Sequence, residues 1–210
     1  MIFFSAIIPV YNEQKTILEV LKRLKKASLS NNLEVIVVND GSTDDTLKIL
    51  KKNKQFFTKL INLENNSGKG KAVIEGLKNS KGKYVFIQDA DLEYDPNDLK
   101  KFIFKVKEGD FEIIMGSRFI SSERSVLHFW HMLGNKFITF LFNLFNNMAF
   151  SDIYCCYCLF KKENLDIKKL RSKGWGQQAE ILTYLVSNSK KILEIGVNYD
   201  ARTYIDGKKI

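Results

Sequence analysis

Three carboxylates stand at alternate positions in the segment "QDADLEYDP": Asp89, Asp91 and Glu93. They directly follow the apolar run 84–87, which is typical of a buried strand. Because alternate residues of an extended chain point the same way, two or three of these carboxylates can converge, and they repel one another unless a cation lies between them. Oxygen ligands of this kind suit Mg²⁺ or Mn²⁺ shared with a phosphate. The alternative is a solvated acidic turn.

Polar segments follow the first two predicted strands: "PVYNE" at 9–13 and "NDGSTDD" at 39–45. The first strand is not followed by G-x-G-x-x-G, and the chain has no P-loop sequence, which excludes the common dinucleotide and P-loop sites. Asp40 stands at a strand end, where its carboxylate can accept the N–H of a guanine or uracil ring. The alternative role is a helix cap, which Ser42 or Thr43 can fill equally well.

A glycine-rich segment, "NSGKGK" at 66–71, precedes another predicted helix. Its backbone N–H groups and the side chains of Lys69 and Lys71 lie near the helix start, where anions bind favourably. We therefore expect this segment to contact a phosphate group.

The first half of the chain alternates between strand-like and helix-like segments. Apolar runs predict strands at 6–10, 34–38, 59–63, 84–87 and 112–116. Amphipathic or capped segments predict helices at 13–27, 42–53, 68–80 and 96–109. This alternation indicates βαβ units and an α/β fold with a mostly parallel central sheet flanked by helices. In such sheets ligands bind beyond the carboxyl ends of the strands, which is where "NDGSTDD", "NNSGKGK" and "QDADLE" all fall.

The second half contains an amphipathic helix, predicted near 131–150. Its polar positions recur every four residues: Asn135, Thr139, Asn143 and Asn147. The rest of the helix is a wide apolar face rich in aromatic residues. One interpretation is a core helix, and the other is a helix that lies at a membrane interface or lines a groove for a lipid chain. A strand at 153–160, two short helices and a strand at 191–199 are predicted to complete the fold.

The chain has 210 residues, of which 45% are hydrophobic and 27% are charged, and its formal net charge is +9. This is the composition of a soluble globular protein, and the length fits one domain over 1–210. The positive charge favours an anionic partner such as nucleotide phosphates or lipid head groups, although a general richness in lysine would give the same value. The basic residues form no stripe with interleaved aromatic residues, so we expect no nucleic-acid partner.

The chain has three cysteines, Cys155, Cys156 and Cys158. Their odd number and close spacing exclude a disulfide framework, and no second Cys/His pair completes a zinc site. They are expected on a strand in a reducing compartment. The N-terminus lacks the pattern of a signal peptide, and no run approaches the roughly 18 apolar residues that span a bilayer. These features predict a cytoplasmic protein, and a peripheral one on the inner membrane face if its substrate is a lipid.

Together the motifs resemble those of the family 2 glycosyltransferases of the GT-A fold, in particular the branch of dolichyl-phosphate mannose synthases and polyprenyl-phosphate sugar transferases. The resemblance runs in order along nearly the whole chain, through "IIPVYNE", "VVNDGSTD", "NSGKGKAVIEGL", "IQDADLEYDP", "IMGSRF", "FWHMLGNKFIT", "SDIYCCYCLFKKE", "GWGQQAEI" and "YDARTYIDGKKI". It implies a GT-A fold with a nucleotide-sugar-binding half, 1–117, and an acceptor-side half, 118–210.

The resemblance also implies roles for single residues. The nucleotide base and ribose would be held by Pro9, Tyr11, Glu13 and Asp40. The metal on the donor diphosphate would be held by Asp89 and Asp91, with Glu93 either a third ligand or a neighbour. Phosphate groups would face Arg118 of "GSRF" and Arg202 of "ARTY".

The reaction implied is metal-dependent, inverting transfer of a sugar from a GDP- or UDP-sugar to a polyprenyl phosphate. A lipid phosphate has a second pKa of about 6, so at neutral pH it is an anionic nucleophile that needs cations rather than a base. The cations expected for this role are Arg118, Arg124, Lys136 and Arg202. A hydroxyl acceptor on a glycan would need a base instead, for which Glu180 is the best candidate. A non-catalytic protein that binds nucleotide-sugars is the third hypothesis.

The chain departs from the branch pattern on its acceptor side. Relatives usually carry an acidic residue and a threonine where this chain has Tyr154 and Cys155, and an aromatic residue, an acidic residue and a proline at 177–179. These changes leave the identities of the sugar and of the acceptor more open than the binding of nucleotide and metal. Relatives also continue beyond "GKKI", which fits either a truncated or a naturally short chain.

Overall fold

The computed structural model describes residues 3–27, 32–120 and 128–201. Within these ranges the chain forms seven strands and six helices. The strands are β1 (Phe4–Val10), β2 (Leu33–Asp40), β3 (Lys59–Leu63), β4 (Tyr84–Ile87), β5 (Ile113–Ser117), β6 (Cys158–Lys161) and β7 (Ile192–Gly196). The helices are α1 (Ile17–Ala27), α2 (Thr46–Lys52), α3 (Lys69–Asn79), α4 (Leu99–Gly109), α5 (Phe129–Asn146) and α6 (Gln177–Asn188). Arg124 and Arg202, both predicted to contact phosphate, lie outside the described residues.

The strands of the described residues form one sheet in the order β3-β2-β1-β4-β6-β5-β7. Strand β6 is antiparallel to its neighbours β4 and β5, and the other pairs are parallel. The central strands β1 and β4 are buried along their whole length, which explains why they appear in the sequence as continuous apolar runs. The prediction of a mostly parallel sheet is confirmed.

Helices cover both faces of the sheet. On one face α3 packs so closely on β1 that a methyl group on Gly76 would collide with Ile7. On the other face Phe102 of α4 contacts Phe86 of β4, with 5.5 Å between the ring centroids. Ile7 is paired with Ile87, and the preceding Phe86 points to the opposite side because neighbouring strand residues alternate. The predicted arrangement, a central sheet flanked by helices, is therefore confirmed as an α/β/α sandwich.

The strand predicted at 153–160 is wrong in its first half, because β6 begins only at Cys158. The preceding residues form other contacts, and the N–H of Cys156 donates to the hydroxyl of Tyr94 at 3.4 Å. All three cysteines are free. Of the two short helices predicted after this strand, one is α6, and two single 3₁₀ turns stand in place of the other.

Helix α5 has its polar stripe toward the protein and most of its large apolar residues toward solvent, although Phe142 is buried. Thr139 is buried, and the side chain of Asn143 bonds to the backbone of Phe150. The exposed face of α5 consists of large apolar residues: Phe129, Trp130, Leu133, Phe137, Ile138, Phe140, Leu144 and Phe145. The interpretation of this segment as a core helix is therefore wrong. The helix also ends earlier than predicted, since Asn147 adopts the left-handed conformation that terminates helices.

The exposed face of α5 is unusual for a soluble domain, because large exposed apolar surfaces commonly mark an interaction site. Among the described helices, α5 included, none has the length and apolarity that a membrane crossing requires.

Candidate active site

A cavity of about 580 Å³ opens at the carboxyl ends of β1, β2 and β4. This is the edge of the sheet at which ligands are expected. Most residues predicted to bind substrate or metal line it: Pro9, Tyr11, Glu13, Asp40, Lys69, Asp89, Asp91, Glu93 and Arg118. Helix α5 and the residue before it line the same cavity with His128, His131, Met132 and Asn135. The fold thus brings several separate loops and α5 around one space.

Asp89 is held by contacts at the end of β4. The buried Gln88 beside it donates from its side-chain amide to the Asp89 carbonyl at 3.0 Å. The same side chain accepts a 2.7 Å hydrogen bond from the hydroxyl of Tyr157. Tyr157 in turn stacks on Tyr94, with 4.8 Å between the ring centroids. These contacts fix the backbone from which the Asp89 carboxylate enters the cavity.

The other two carboxylates of the acidic segment make local contacts. Asp91 accepts a hydrogen bond from the N–H of Glu93 at 3.2 Å, in a turn typical of aspartate. Glu93 accepts a 3.0 Å hydrogen bond from the hydroxyl of Tyr199. Burial raises the pKa of that hydroxyl, and the Glu93 charge adds to the effect. The carboxylate of Glu93 is thereby anchored, and its role as a third metal ligand stays a prediction.

Lys69, the first residue of α3, reaches the acidic segment. Its ammonium lies 2.5 Å from Oδ1 of Asp89 and 3.2 Å from Sγ of Cys156. Burial opposes the charged form, but the neighbouring Asp89 carboxylate outweighs it, so the pKa of Lys69 is raised. Burial, together with the Asp89 charge, raises the pKa of the Cys156 thiol to about 12. At neutral pH the ammonium is therefore paired with a carboxylate beside a neutral thiol.

Asp40 organises the glycine-rich segment and does not cap α2. Its two carboxylate oxygens accept the N–H groups of Ser67 and Gly68, each at 2.9 Å. At the start of α2 it is Asp44 that accepts the N–H of Thr46. The helix-cap alternative for Asp40 is thus wrong. Its contact with a nucleotide base stays a prediction, and its side chain does line the cavity.

Two glycines allow the segment after β3 to pack on the loop that precedes α6. Gly68 has a φ of +92°, and a methyl group on Gly68 or Gly70 would collide with the backbone of Lys173 or Ser172. The N–H of Gly70 also donates to the carbonyl of Lys173 at 2.8 Å. Trp175, close by in the chain, is exposed and lines the cavity. The glycines are therefore needed for close packing and not only to present N–H groups to a phosphate.

Arg118 lines the cavity with its guanidinium fixed by a buried partner. Asp152 accepts a hydrogen bond from Nε at 2.7 Å and another from Nη2 at 2.9 Å. The same carboxylate accepts from the side chain of Asn135 on α5 at 3.1 Å. The guanidinium carbon also lies 5.2 Å from the ring centroid of Tyr199. These contacts hold the guanidinium in one orientation at the cavity wall.

Two of the predicted substrate-binding lysines do not line this cavity. Lys71 forms an ion pair of 2.9 Å with Glu75, one turn along α3. The ammonium of Lys136 lies 5.8 Å from the ring centroid of Phe119. Their binding roles stay predictions.

Glu180, the candidate base for a hydroxyl acceptor, stands in the first turn of α6. Its two carboxylate oxygens accept the N–H groups of Arg171 and Ser172, each at 2.9 Å. It is not among the residues that line the cavity. In this arrangement Glu180 holds the loop before α6, and a catalytic role for it stays a prediction.

The acidic segment fits a divalent cation that is shared with a ligand. Asp89 and Asp91 bring hard oxygen donors to the cavity, and Mg²⁺ commonly takes only one or two carboxylates where it also binds phosphates. In the described part of the chain, no three His, Cys, Asp or Glu side chains come together as a metal site of their own. The residues therefore fit a cation whose other ligands would come from phosphate oxygens of a bound ligand and from water.

Sequence reasoning did not identify Asp152, Cys156 or Tyr199 as parts of the site. For Asp152 a signal exists, because it is the only charged residue between 137 and 160, and a charge in such an apolar stretch is rarely buried without a partner. Cys156 and Tyr199 carry no comparable signal, since their positions depend on packing between distant segments.

Three comparisons relate the chain to known proteins. A family model described as glycosyl transferase family 2 matches residues 5–167. The chain is 32% identical over 219 residues to an uncharacterized protein of Methanocaldococcus jannaschii, covering 98% of this chain and 93% of that protein. It is 30% identical over 229 residues to the dolichyl-phosphate beta-glucosyltransferase of Dictyostelium discoideum, covering 100% of this chain and 69% of the relative.

A solved structure of low sequence identity shares the fold. It is glucosyl-3-phosphoglycerate synthase from Mycobacterium tuberculosis in complex with Mn²⁺, uridine diphosphate and phosphoglyceric acid. The TM-score is 0.72 at 18% identity, over 97% of this chain and 72% of that chain. At this identity the likeness concerns the fold alone, and it confirms the GT-A fold expected from the motifs.

Proposed function

Because the chain belongs to glycosyl transferase family 2, we propose that it moves a sugar from a nucleotide-sugar to a polyprenyl phosphate at the cytoplasmic face of a membrane. Family membership makes the chain a glycosyltransferase and confirms the resemblance found in its motifs. The proposal adds the substrates, the metal, the inverting course and a division into a donor half, 1–117, and an acceptor half, 118–210. It rests on one observation: the acidic segment and α5 line the same cavity, and the exposed face of α5 is apolar.

The donor side of the cavity suits a nucleoside diphosphate together with a metal. The described residues that line it include five carboxylates against two cations, Lys69 and Arg118. This excess of negative charge would repel a diphosphate alone. Held by Asp89 and Asp91, Mg²⁺ or Mn²⁺ would supply positive charge next to the leaving diphosphate. The base and ribose are assigned to the residues of the first two loops: Pro9, Tyr11, Glu13 and Asp40.

The acceptor side suits a lipid phosphate. Side chains of α5 line the cavity, whereas its exposed face presents Trp130 at 76% and Phe145 at 81% exposure. Such a helix lies favourably in the interface of a bilayer, with its aromatic rings toward the lipid chains. The net charge of +9 adds attraction to anionic lipid, about 1 kcal/mol for each Lys or Arg near the surface. The name of the Dictyostelium relative, a dolichyl-phosphate glucosyltransferase, supports the same class of acceptor.

The proposed reaction needs no general base. An anionic oxygen of the acceptor phosphate attacks the anomeric carbon on the face opposite the diphosphate, so the new bond forms as the old carbon–oxygen bond breaks and the configuration inverts. Arg118, already oriented by Asp152, would contact a phosphate group with little further loss of freedom. The proposal gives Glu180 no role in this reaction, and the hydrogen bonds that both of its oxygens accept from backbone N–H groups support a structural role instead. Further contacts to the lipid phosphate are assigned to Arg124, Lys136 and Arg202.

Thermal unfolding with ligands tests the donor side. The protein is heated with a panel of UDP- and GDP-sugars, each with and without Mn²⁺. We expect a nucleotide-sugar to raise the unfolding midpoint only with Mn²⁺, and Asp91→Asn to lose this shift because a charged ligand is removed. Glu108→Gln removes a carboxylate of α4 that does not line the cavity, so this control should keep the shift. If no nucleotide stabilises the wild type, the proposal fails.

Transfer assays test the acceptor side. Polyprenyl phosphate in vesicles and a soluble glycan are offered as acceptors. The donor is the nucleotide-sugar that stabilises the protein in the thermal-unfolding panel. The proposal expects transfer to the lipid phosphate and only a mild loss of turnover in Glu180→Gln. Transfer to the glycan that Glu180→Gln abolishes would instead support a hydroxyl acceptor with Glu180 as base. Tight, metal-dependent nucleotide binding without any turnover would support a non-catalytic binding protein.

A further inference from the structure

The ion pair between Lys69 and Asp89 lies where the proposed metal would bind. The ammonium is 2.5 Å from Oδ1 of Asp89, and the two side chains are 30% and 14% exposed. The pair is therefore only partly screened by water, and the attraction between its charges is stronger than on an open surface. A cation that used Asp89 would lie next to the ammonium and be repelled by it.

Among the described residues the ammonium has one ion-pair partner, the carboxylate of Asp89. Its other contact is a hydrogen bond to Sγ of Cys156 at 3.2 Å. Asp89 is thus the counter-ion of Lys69. The structure gives a metal little to offset the loss of this pair, since the described residues hold no cluster of three metal-ligating side chains.

We propose that Lys69 keeps the metal off Asp89 until a nucleoside diphosphate arrives, and that it then exchanges the carboxylate for the diphosphate. This inference rests on the proposed function for the identity of the ligand. Lys69 is the first residue of α3 and follows Gly68, which lines the same cavity. Its four-carbon stem allows the ammonium to turn toward a phosphate near the helix start. Metal and nucleotide then bind cooperatively, with Lys69 carrying the coupling between them.

Titration with Mn²⁺ alone tests the first half of this proposal. Free Mn²⁺ is measured by electron paramagnetic resonance during titration of the nucleotide-free protein. Lys69→Met removes the ammonium from Asp89 and should bind Mn²⁺ about tenfold more tightly than the wild type. Lys78→Met removes the same charge from the same helix, but from a pair with Glu75 away from the cavity, and should change the affinity by less than about twofold. Adding Asp89→Asn to Lys69→Met should abolish the gain.

Repeating the titration with UDP and with GDP tests the coupling. Nucleotide should tighten Mn²⁺ binding in the wild type, and it should do so by a smaller factor in Lys69→Met. If wild type binds neither nucleotide, the proposed function fails, while the titration without nucleotide still decides the role of Lys69. A second variant, Lys69→Gln, covers the case in which the methionine variant does not fold. If the folded variant binds Mn²⁺ with the same affinity as the wild type, the proposal is overturned. It is also overturned if neither protein binds Mn²⁺.

Discussion

Replacing Asp152 by asparagine tests whether its buried pair with Arg118 stabilises the fold. The Asp152 side chain has 0% exposure and accepts hydrogen bonds from the guanidinium at 2.7 and 2.9 Å and from Asn135 at 3.1 Å. Asparagine keeps the size of the side chain but removes the charge and replaces one acceptor by a donor. The Arg118 side chain, 14% exposed, then loses its buried counter-ion.

The structure sets the expected size of this effect. Removing one partner of a buried ion pair costs about 3–5 kcal/mol. Two charge-assisted hydrogen bonds at about 1.5–3 kcal/mol each give a similar value. With a urea m-value of about 2 kcal/mol/M, the denaturation midpoint should fall by about 1.5–2.5 M. Fluorescence and circular dichroism measure the midpoint, and their coincidence checks that unfolding is two-state.

Glu108→Gln is the matched control for this prediction. The pair between Lys105 and Glu108 has the same 2.7 Å separation, but its side chains are 39% and 53% exposed. Exposed pairs contribute at most about 1 kcal/mol, so the midpoint should hardly move. If Asp152→Asn lowers the free energy of unfolding by no more than this control does, burial does not strengthen the pair and the reasoning is refuted. The double replacement Arg118→Met with Asp152→Leu should cost less than Asp152→Asn, because no buried charge loses its partner.

Other regions of the chain give further expectations. Gly70→Ala should destabilise the fold by about 1–3 kcal/mol, since its methyl group meets the backbone at 172–173. Gly134→Ala has open space around the new methyl group and should stabilise α5 by up to about 1 kcal/mol. Thermal unfolding compares the two variants. Burial raises the pKa of Glu194, so the stability it contributes is present at acidic pH and lost as the pH rises from about 4.3 through the raised folded pKa. Urea titrations over roughly pH 4 to 7 should show that loss in the wild type, and an equal pH slope in Glu194→Gln would contradict it. Phe145→Ser should weaken sedimentation with anionic vesicles roughly tenfold, and unchanged binding would argue against the exposed face of α5 as the membrane contact.

The sheet and the acidic segment could be predicted because their signals are local. Strands β1 and β4 are buried on both faces and so appear as short apolar runs. Asp89 and Asp91 follow β4 at once, and the general rule for parallel sheets brings the loops after β1, β2 and β4 to one edge. The position of these loops follows from strand direction alone and does not depend on side-chain packing.

The rest depends on contacts between distant parts of the chain. The pair of Lys69 with Asp89 follows from where α3 begins relative to the end of β4, and no sequence pattern encodes that distance. The orientation of α5 could not be predicted either, because a two-sided pattern reveals two faces but not which one is buried. Here the polar side of α5 faces the protein, where Asn135 bonds to Asp152 and Thr139 bonds to Asn135.

Strand β6 lies between β4 and β5, although the chain reaches it only after α5. During synthesis, which proceeds from the N-terminus, β5 is therefore unpaired at first, because both of its partners in the sheet, β6 and β7, are made later. A nascent chain that ends at 117 leaves β4 and β5 with open edges, which favour pairing with other chains. A fragment of residues 1–117 contains every carboxylate of the described cavity lining, yet it should aggregate before it binds a nucleotide. The boundary proposed between a donor half and an acceptor half is therefore not one at which we expect this chain to fold.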